Sequence, residues 1–134
     1  LRAHGIDPAG RRVTVVGRSL VIGRPAALLL TRADATVTLC HRKTPDLAAR
    51  CRAADILLAA AGAPGLITPE CVRPGQIVLD AGATALPDGT LRGDVTPAAA
   101  AITACTPVPG GIGSVTTALL LRHTVQAAEK SHHF

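Results

Sequence analysis

The sequence predicts an α/β fold in which a mostly parallel sheet carries helices on both faces. Short apolar runs alternate with longer segments of helical character along the chain. The 134 residues are 48% hydrophobic and 17% charged, a composition typical of one ordered domain. Phe134 is the one aromatic residue among Phe, Trp and Tyr. A core of Ala, Val, Leu and Ile suits helices packed on a buried parallel sheet.

The first elements predict a β-α-β unit. Leu1 to His4 is expected to end a helix at Gly5, and Arg12 to Val16 is an apolar run typical of a buried strand. Pro25 suits the first turn of a helix, and the alternation from Thr36 to Cys40 predicts a second strand.

The unit then continues in the same alternation. A helix is predicted from Asp46 to Ala54, capped by Thr44 or Asp46, and a third strand from Ile56 to Ala60. The later predictions are a brief helix at Thr68-Pro69-Glu70, a strand from Ile77 to Leu79 ending at Asp80, a short helix at Thr96-Pro97 and a last helix from Ser114 to Ala128. This order predicts a Rossmann-type, doubly wound sheet in a single domain spanning residues 1–134. Ser131 to Phe134 are given no functional role.

The charge is concentrated in the first part of the chain. The net charge is +5, yet residues 1 to 52 carry ten Lys and Arg against three Asp, while the remainder carries four against six acids. This asymmetry favours a local anion site over a uniformly basic nucleic-acid surface. The near absence of aromatic residues also argues against single-stranded nucleic acid, whose bases stack on aromatic side chains.

Other classes of protein are disfavoured by what the sequence contains. No apolar run reaches the roughly 18 residues of a membrane span, so a cytoplasmic protein without a membrane segment is expected. Four cysteines are widely spaced and form no C-x-x-C pair, which predicts buried free thiols and no metal site or redox motif: Cys40, Cys51, Cys71 and Cys105.

A glycine-bounded turn follows the first strand, at Gly17-Arg18-Ser19-Leu20-Val21-Ile22-Gly23. Ligands of open α/β sheets bind at the carboxyl ends of strands, where glycines let backbone N–H groups approach a phosphate. The turn departs from G-x-G-x-x-G because Ser19 replaces the middle glycine and Gly23 comes one residue late. Ser19 could instead donate its hydroxyl to a phosphate oxygen. The alternative is a plain strand-to-helix turn.

The end of the second strand favours NADP over NAD. An acidic residue there would accept hydrogen bonds from the ribose 2′-hydroxyl of NAD, but this chain has His41-Arg42-Lys43. Arg18 could close on the same 2′-phosphate, because a guanidinium group binds phosphate through a planar fork of donors. The alternative is a solvated basic loop.

Several strings together resemble a known family. They are VVGRSLVIGRPAALLLTRADATVTLCHRKT, ADILLAAAGAPGLI, PGQIVLDAG, GDV and TPVPGGIGSVTTALLLRHT. In this order and approximate spacing, they resemble the C-terminal NADP-binding domain of methylenetetrahydrofolate dehydrogenase/cyclohydrolase, over nearly the whole chain.

The resemblance implies an enzyme of one-carbon metabolism. It would oxidise methylenetetrahydrofolate by hydride transfer to NADP⁺ and hydrolyse the methenyl product. Arg42 would contact the 2′-phosphate, Ala83 the nicotinamide carboxamide, and the Pro107 to Gly113 loop the nicotinamide and a tetrahydrofolate derivative. The predicted cofactor-binding residues are Gly17, Arg18, Ser19, Gly23, His41, Arg42, Lys43, Gly62, Gly82, Ala83, Gly110, Gly111, Gly113 and Thr116.

The resemblance also implies a partner that these residues do not supply. In the family, an N-terminal folate domain provides a Tyr and a Lys that act on the one-carbon bridge, and this sequence has no Tyr. No catalytic residue is therefore assigned here, and the isolated chain is expected to be inactive. The alternatives are a non-catalytic NADP-binding or sensing module, or another NADP-dependent Rossmann dehydrogenase.

The chain departs from the family pattern at three places. Gly82-Ala83-Thr84 replaces Gly-Ile-Asn, Ser114 and Val115 replace Pro and Met, and the segment around Ala98 to Ala101 is shorter. These changes fall at the nicotinamide and folate end, away from the phosphate turn, which is the predicted phosphate-binding turn of Gly17 to Gly23.

Two further features lead to structural expectations. Asp80 could act as an acid or base, but a carboxylate that accepts nearby backbone N–H groups is the favoured interpretation. The last helix is apolar over most of its girth, so it is expected to be an interface element that drives homo-oligomer formation.

Overall fold

A computed structural model describes residues 1–131, and residues 132–134 lie outside the described part. Five parallel strands form the main sheet in the order β2-β1-β3-β4-β7. The strands are β1 (Arg12–Val16), β2 (Thr36–Cys40), β3 (Ile56–Ala59), β4 (Ile77–Asp80), β5 (Thr84–Ala85), β6 (Leu91–Arg92) and β7 (Ala104–Cys105). The α-helices are α1 (Gly23–Thr31), α2 (Leu47–Ala53), α3 (Pro97–Ala100) and α4 (Ile112–Ser131), with 3₁₀ turns at Arg2–His4 and Pro69–Cys71.

The sheet reverses its direction of growth after β2. Strand β1 pairs in parallel with β2 on one side, where Val16 lies opposite Cys40, and with β3 on the other, where Val16 lies opposite Ala59. The chain therefore passes from β1 to β2 on one side and then crosses back over β1 to place β3 on the other side. A crevice opens at the carboxyl ends of strands at such a reversal, which is where ligands of doubly wound sheets bind.

Helices cover both faces of the sheet, as predicted. On one face, Leu47 and Ala48 of α2 pack on a buried cluster that includes Leu57 and Val78. On the other face, α1 packs on a cluster built around Val13, Val15 and Ile56. Alternate residues of β1 and β3 thus serve opposite faces, as the period of two in a strand requires.

The predicted strands β1 to β4 are confirmed, with ends that agree within one residue. Two features were not predicted: the antiparallel hairpin of β5 and β6, and the edge strand β7. The capping prediction for α2 is wrong, because Asp46 precedes the helix with φ 51° and no side-chain cap forms. The Thr44 hydroxyl instead accepts a hydrogen bond from the His41 N–H at 2.9 Å.

An ion-pair network joins the amino ends of β1 and β3. Asp55 accepts hydrogen bonds from the Arg12 guanidinium at 2.9 Å and from that of Arg73 at 3.1 Å. The hydrogen bonds from Arg12, aided by its charge and that of Arg73, lower the pKa of Asp55 to about 2. This network lies at the end of the sheet opposite the crevice.

Cys40, Cys51 and Cys71 are buried and Cys105 is partly buried, and all four are free thiols. Burial is the main cause that raises the pKa of Cys51 to about 12. Within residues 1–131, no group of three or more His, Cys, Asp or Glu is placed to hold a metal ion. None of the helices described is both long and apolar enough to span a membrane.

Candidate functional site

The turn between β1 and α1 is built on two glycines with no room for a side chain. Gly17 has φ 118°, and a Cβ at this position would collide with the carbonyl oxygen of Ala60. A Cβ at Gly23 would collide with the carbonyl oxygen of Gly17 itself. The backbone therefore folds tightly back on itself at the carboxyl end of β1, in the position predicted for a phosphate.

Ser19 stabilises this turn by accepting two backbone hydrogen bonds. Its Oγ accepts a hydrogen bond from the Ile22 N–H at 3.1 Å, and its carbonyl accepts one from the Arg24 N–H at 3.0 Å. The hydroxyl proton of Ser19 remains able to donate, because only a lone pair is used in the first bond. Ser19 and Arg18 are both exposed at the mouth of the crevice. This is the chemistry that an anion needs at a helix N-terminus.

The turn after β2 presents two cations to solvent. The His41 Nδ1 accepts a hydrogen bond from the Lys43 N–H at 3.2 Å, and the Thr44 N–H donates to the His41 carbonyl at 2.8 Å. His41 is thus part of the turn's framework, whereas Arg42 and Lys43 are exposed. Among residues 1–131, neither of these two cations is in an ion pair. Both are available for an anionic ligand.

A cleft of about 720 Å³ opens beside the phosphate turn. This volume is within the usual range for a small-molecule site. Its walls come from apolar residues just before and within α1, from Asp80 to Ala83, from Leu91, from Pro107 to Ser114, and from Thr116 and Thr117. The predicted residues that it brings together are Gly82, Ala83, Gly110, Gly111, Gly113 and Thr116.

The other predicted residues lie outside the walls of this cleft. They are Gly17, Arg18, Ser19, Gly23, His41, Arg42, Lys43 and Gly62. Most of them belong to the turns after β1 and β2, at the same edge of the sheet. Gly62 lies in the loop after β3, where its N–H donates to Asp94 at 3.1 Å. The predicted set therefore divides into the turns after β1, β2 and β3, which form the predicted phosphate region, and a mostly apolar cleft.

The loop of Pro107 to Gly113, which lines the cleft, is tightly folded on its own backbone. A Cβ at Gly111 would collide with the carbonyl oxygen of Pro107, so the Pro107 to Gly111 segment closes tightly. The Thr116 hydroxyl donates to the Ile112 carbonyl at 3.0 Å within the first turn of α4. The Val108–Pro109 peptide bond is cis. These contacts fix the loop that forms one wall of the cleft.

Asp80 is the only titratable side chain that lines the cleft within the described residues. It is 3% exposed, and its oxygens accept N–H groups from Gly82, Asp94 and Val95. The predicted structural role of Asp80 is confirmed. Burial and the nearby Asp80 charge raise the pKa of Cys105 to about 11, which keeps this thiol protonated at neutral pH.

Sequence reasoning missed the role of Asp94. Its carboxylate is fully buried and accepts three N–H groups of the loop after β3. The string Gly93-Asp94-Val95 is the signal that was present, because an acidic residue between apolar ones at the end of a loop needs partners when buried. The partners themselves lie more than 30 residues away.

The last helix is exposed along almost its whole length. None of the residues of α4 is buried, and Leu120 and Leu121 are each 65% exposed. This exposure agrees with the prediction that α4 is not packed within the domain.

A doubly wound sheet, a glycine-tight turn after β1 and an adjoining cleft define a dinucleotide-binding domain. A family model described as tetrahydrofolate dehydrogenase/cyclohydrolase, NAD(P)-binding domain, matches residues 1–132. The chain belongs to this family. The resemblance stated from the sequence is therefore confirmed.

Known relatives agree in sequence and in structure. The chain is 60% identical to bifunctional protein FolD 1 of Rhodococcus jostii over 93% of this chain and 43% of that protein. A crystal structure of FolD from Campylobacter jejuni has a TM-score of 0.91 at 41% identity, covering 98% of this chain and 47% of that one. FolD of Trypanosoma brucei, complexed with NADP cofactor and inhibitor, has a TM-score of 0.89 at 42% identity, covering 100% of this chain and 48% of that one. The chain thus spans less than half the length of these relatives.

Proposed function

We propose that this chain is the NADP-binding domain of a bifunctional methylenetetrahydrofolate dehydrogenase/methenyltetrahydrofolate cyclohydrolase. The observation that carries the proposal is the continuity of three features at one sheet edge. The turn of Gly17 to Gly23 suits a pyrophosphate, the turn at Arg42 and Lys43 suits a 2′-phosphate, and the cleft suits a nicotinamide.

The residues present fit this cofactor. Arg18 and Ser19 would hold phosphate oxygens, while Arg42, with Lys43 beside it, would contact the 2′-phosphate. Gly82, Ala83 and the Pro107 to Gly113 loop would border the nicotinamide, which supplies the hydride acceptor when NADP⁺ is bound. The segment His41-Arg42-Lys43 after β2 contains no acid that would repel a 2′-phosphate.

The cleft offers one apolar wall that would shield a nicotinamide from water once a second wall closes over it. Val21, Ile22 and Leu29 form its apolar wall on the side of α1, and Leu91 of the hairpin also lines it. A dry wall strengthens the electrostatic interactions within the site and protects a reactive intermediate. The contribution of this chain is therefore to bind, orient and shield, since Asp80 is already occupied by backbone N–H groups.

NADP should bind more tightly than NAD. Charge-assisted hydrogen bonds to a phosphate contribute roughly 1.5–3 kcal/mol each, or about tenfold to a hundredfold in affinity. Titration calorimetry with both nucleotides measures the difference, and Arg42→Ala should weaken NADP while leaving NAD nearly unchanged. Arg32→Ala at the end of α1 is a matched control for the loss of one exposed cation. Equal affinity for the two nucleotides, or an equal loss for both in Arg42→Ala, would contradict the assignment.

The folate-binding partner is proposed to be a separate domain that completes the cleft. These 134 residues offer one wall, and hydride transfer requires reacting atoms within roughly 3–3.5 Å. Purified chain mixed with methylenetetrahydrofolate and NADP⁺ should therefore show no rise in NADPH absorbance above background. Turnover by the chain alone would show that the missing wall is dispensable.

A non-catalytic NADP-binding module is the second candidate. It is favoured by one observation, that the described part of the cleft contains no free acid or base. Adding the folate domain of a relative separates the two: restored turnover supports the enzyme, and continued absence of turnover with NADP bound supports the module.

Two further properties complete the proposal. The exposed apolar residues of α4 support self-association into a homo-oligomer. The four free thiols support a reducing compartment such as the cytoplasm.

A further inference from the structure

Two buried carboxylates connect the loops that follow the strands at the candidate site. Asp80 ends β4, and Asp94 follows the hairpin of β5 and β6. Asp80 is 3% and Asp94 0% exposed, and neither forms an ion pair with a cation within residues 1–131. Burying a charge is costly unless its hydrogen-bonding capacity is met. Six backbone N–H groups donate hydrogen bonds to these two carboxylates, three to each.

Asp80 fixes the segment on either side of the hairpin. Its Oδ1 accepts from the Gly82 N–H at 2.9 Å and the Asp94 N–H at 3.1 Å, and its Oδ2 accepts from the Val95 N–H at 3.0 Å. The Asp80 N–H donates to the Thr106 Oγ1 at 2.8 Å, just after β7. One residue thus joins the loops after β4, β6 and β7.

Asp94 fixes the loop after β3. Its Oδ2 accepts from the Ala61 N–H at 2.6 Å and the Gly62 N–H at 3.1 Å, and its Oδ1 accepts from the Ala63 N–H at 2.7 Å. This loop begins at Ala60, whose carbonyl oxygen leaves no room for a Cβ at Gly17. Asp94 therefore holds the backbone that borders the phosphate turn.

Each carboxylate also packs against a glycine close in sequence to the other one: Asp94 against Gly82, and Asp80 against Gly93. A Cβ at Gly82 would lie 2.5 Å from the Asp94 Cγ, and a Cβ at Gly93 would collide with the Asp80 carboxylate. Gly82 donates its N–H to Asp80 while its Cα faces Asp94. A shift of one carboxylate therefore acts on the backbone next to the other one.

We propose that Asp80 and Asp94 are positioning residues that set the spacing between the phosphate turn and the nicotinamide end of the cleft. The proposal rests on the proposed function. Through Ala61 to Ala63 the pair contacts the surroundings of Gly17, and through Gly82 it contacts the cleft wall. A dinucleotide that spans both regions requires this spacing, whereas a ligand of the phosphate region alone does not.

Substitution by Asn tests this role with almost no change of shape. Both oxygens of each carboxylate face N–H donors, so the amide NH₂ of Asn must face at least one donor in either orientation. The phosphate turn has its own hydrogen bonds, from Ile22 to Ser19 and from Arg24 to Ser19, and should keep its shape.

The test compares NADP with 2′,5′-ADP, which carries the phosphorylated adenosine half and no nicotinamide. In Asp80→Asn and Asp94→Asn, NADP affinity measured by titration calorimetry should fall about tenfold or more, and 2′,5′-ADP affinity should stay within about twofold of wild type. Asp88→Asn is the matched control, because the Asp88 carboxylate accepts hydrogen bonds from Thr90 in the exposed turn of the same hairpin. Equal losses for both ligands, or no loss for NADP, would overturn the proposal.

Hydrogen exchange provides a second measurement that requires no nucleotide. In Asp94→Asn the amides of Ala61 to Ala63 should exchange faster, while the amides of β1 and β3 keep their protection and so show a folded sheet. Unchanged protection at Ala61 to Ala63 would overturn the proposal even if wild type binds no NADP, a result that would separately refute the proposed function. If Asp80→Asn does not fold, Thr106→Val should give the same difference between ligands with a smaller loss, and equal losses there would also count against it.

Discussion

Gly17→Ala is expected to destabilise the domain by about 3 kcal/mol and to remove measurable NADP binding. Two causes act together, since φ is 118° and the added Cβ collides with the Ala60 carbonyl oxygen. Relief would require Gly17 itself to move away from the Ala60 carbonyl, which would distort the phosphate turn to which Gly17 belongs. Urea unfolding gives the change in the free energy of unfolding, and calorimetry gives the loss of affinity.

Two other glycines separate these causes. Gly75 has φ 76° and open space where a Cβ would lie, so Gly75→Ala should cost about 1 kcal/mol from backbone strain alone. Gly23 has no positive φ, but its Cβ would collide with the Gly17 carbonyl oxygen, so Gly23→Ala isolates the collision. If Gly17→Ala lowers the free energy of unfolding no more than Gly75→Ala does, the collision with Ala60 adds no destabilisation.

The sequence identifies those parts of the fold that depend on local pattern. Strands β1, β3 and β4 are largely apolar runs and β2 alternates polar with apolar residues, so their period and length suffice to place them. The two-residue strands β5, β6 and β7 are too short to show any period. They are defined by their pairing, β5 with β6 and β7 with β4, which no local period reveals.

The candidate site also has parts that a local sequence pattern reveals and parts that depend on residues distant in sequence. The glycine turn and the basic turn are local strings, so residues 17–23 and 41–43 could be selected before the fold was known. Asp94 acts on Ala61 to Ala63 across 31 to 33 residues, and no local pattern encodes that pairing. The prediction of a side-chain cap on α2 was wrong for a related reason, because the Thr44 hydroxyl already accepts a hydrogen bond from the His41 N–H.

The chain of 134 residues is expected to self-associate through α4. Its apolar side chains are well exposed, with Val115 at 59%, Leu121 at 65% and Val125 at 58%. Leu121 and Val125 are four residues apart, which places them on one face of the helix, and Ala118 extends this face. A second copy that covers the face would contribute about 1.5–3 kcal/mol of transfer free energy for each fully covered Leu. Sedimentation velocity over a concentration series should show a dimer or larger species.

Leu121→Lys should weaken this association about tenfold to a hundredfold, because it replaces one buried Leu by a charge at the contact. Leu28→Lys on α1 is the matched control, since Leu28 is also 65% exposed but lies on a different helix. If both variants weaken association equally, the contact involves α1 as much as α4. A wild-type chain that stays monomeric at every concentration, with the α4 amides protected from exchange, would show that the helix needs no partner. Dissociation by Leu121→Lys alone would identify α4 as the surface that a second copy covers.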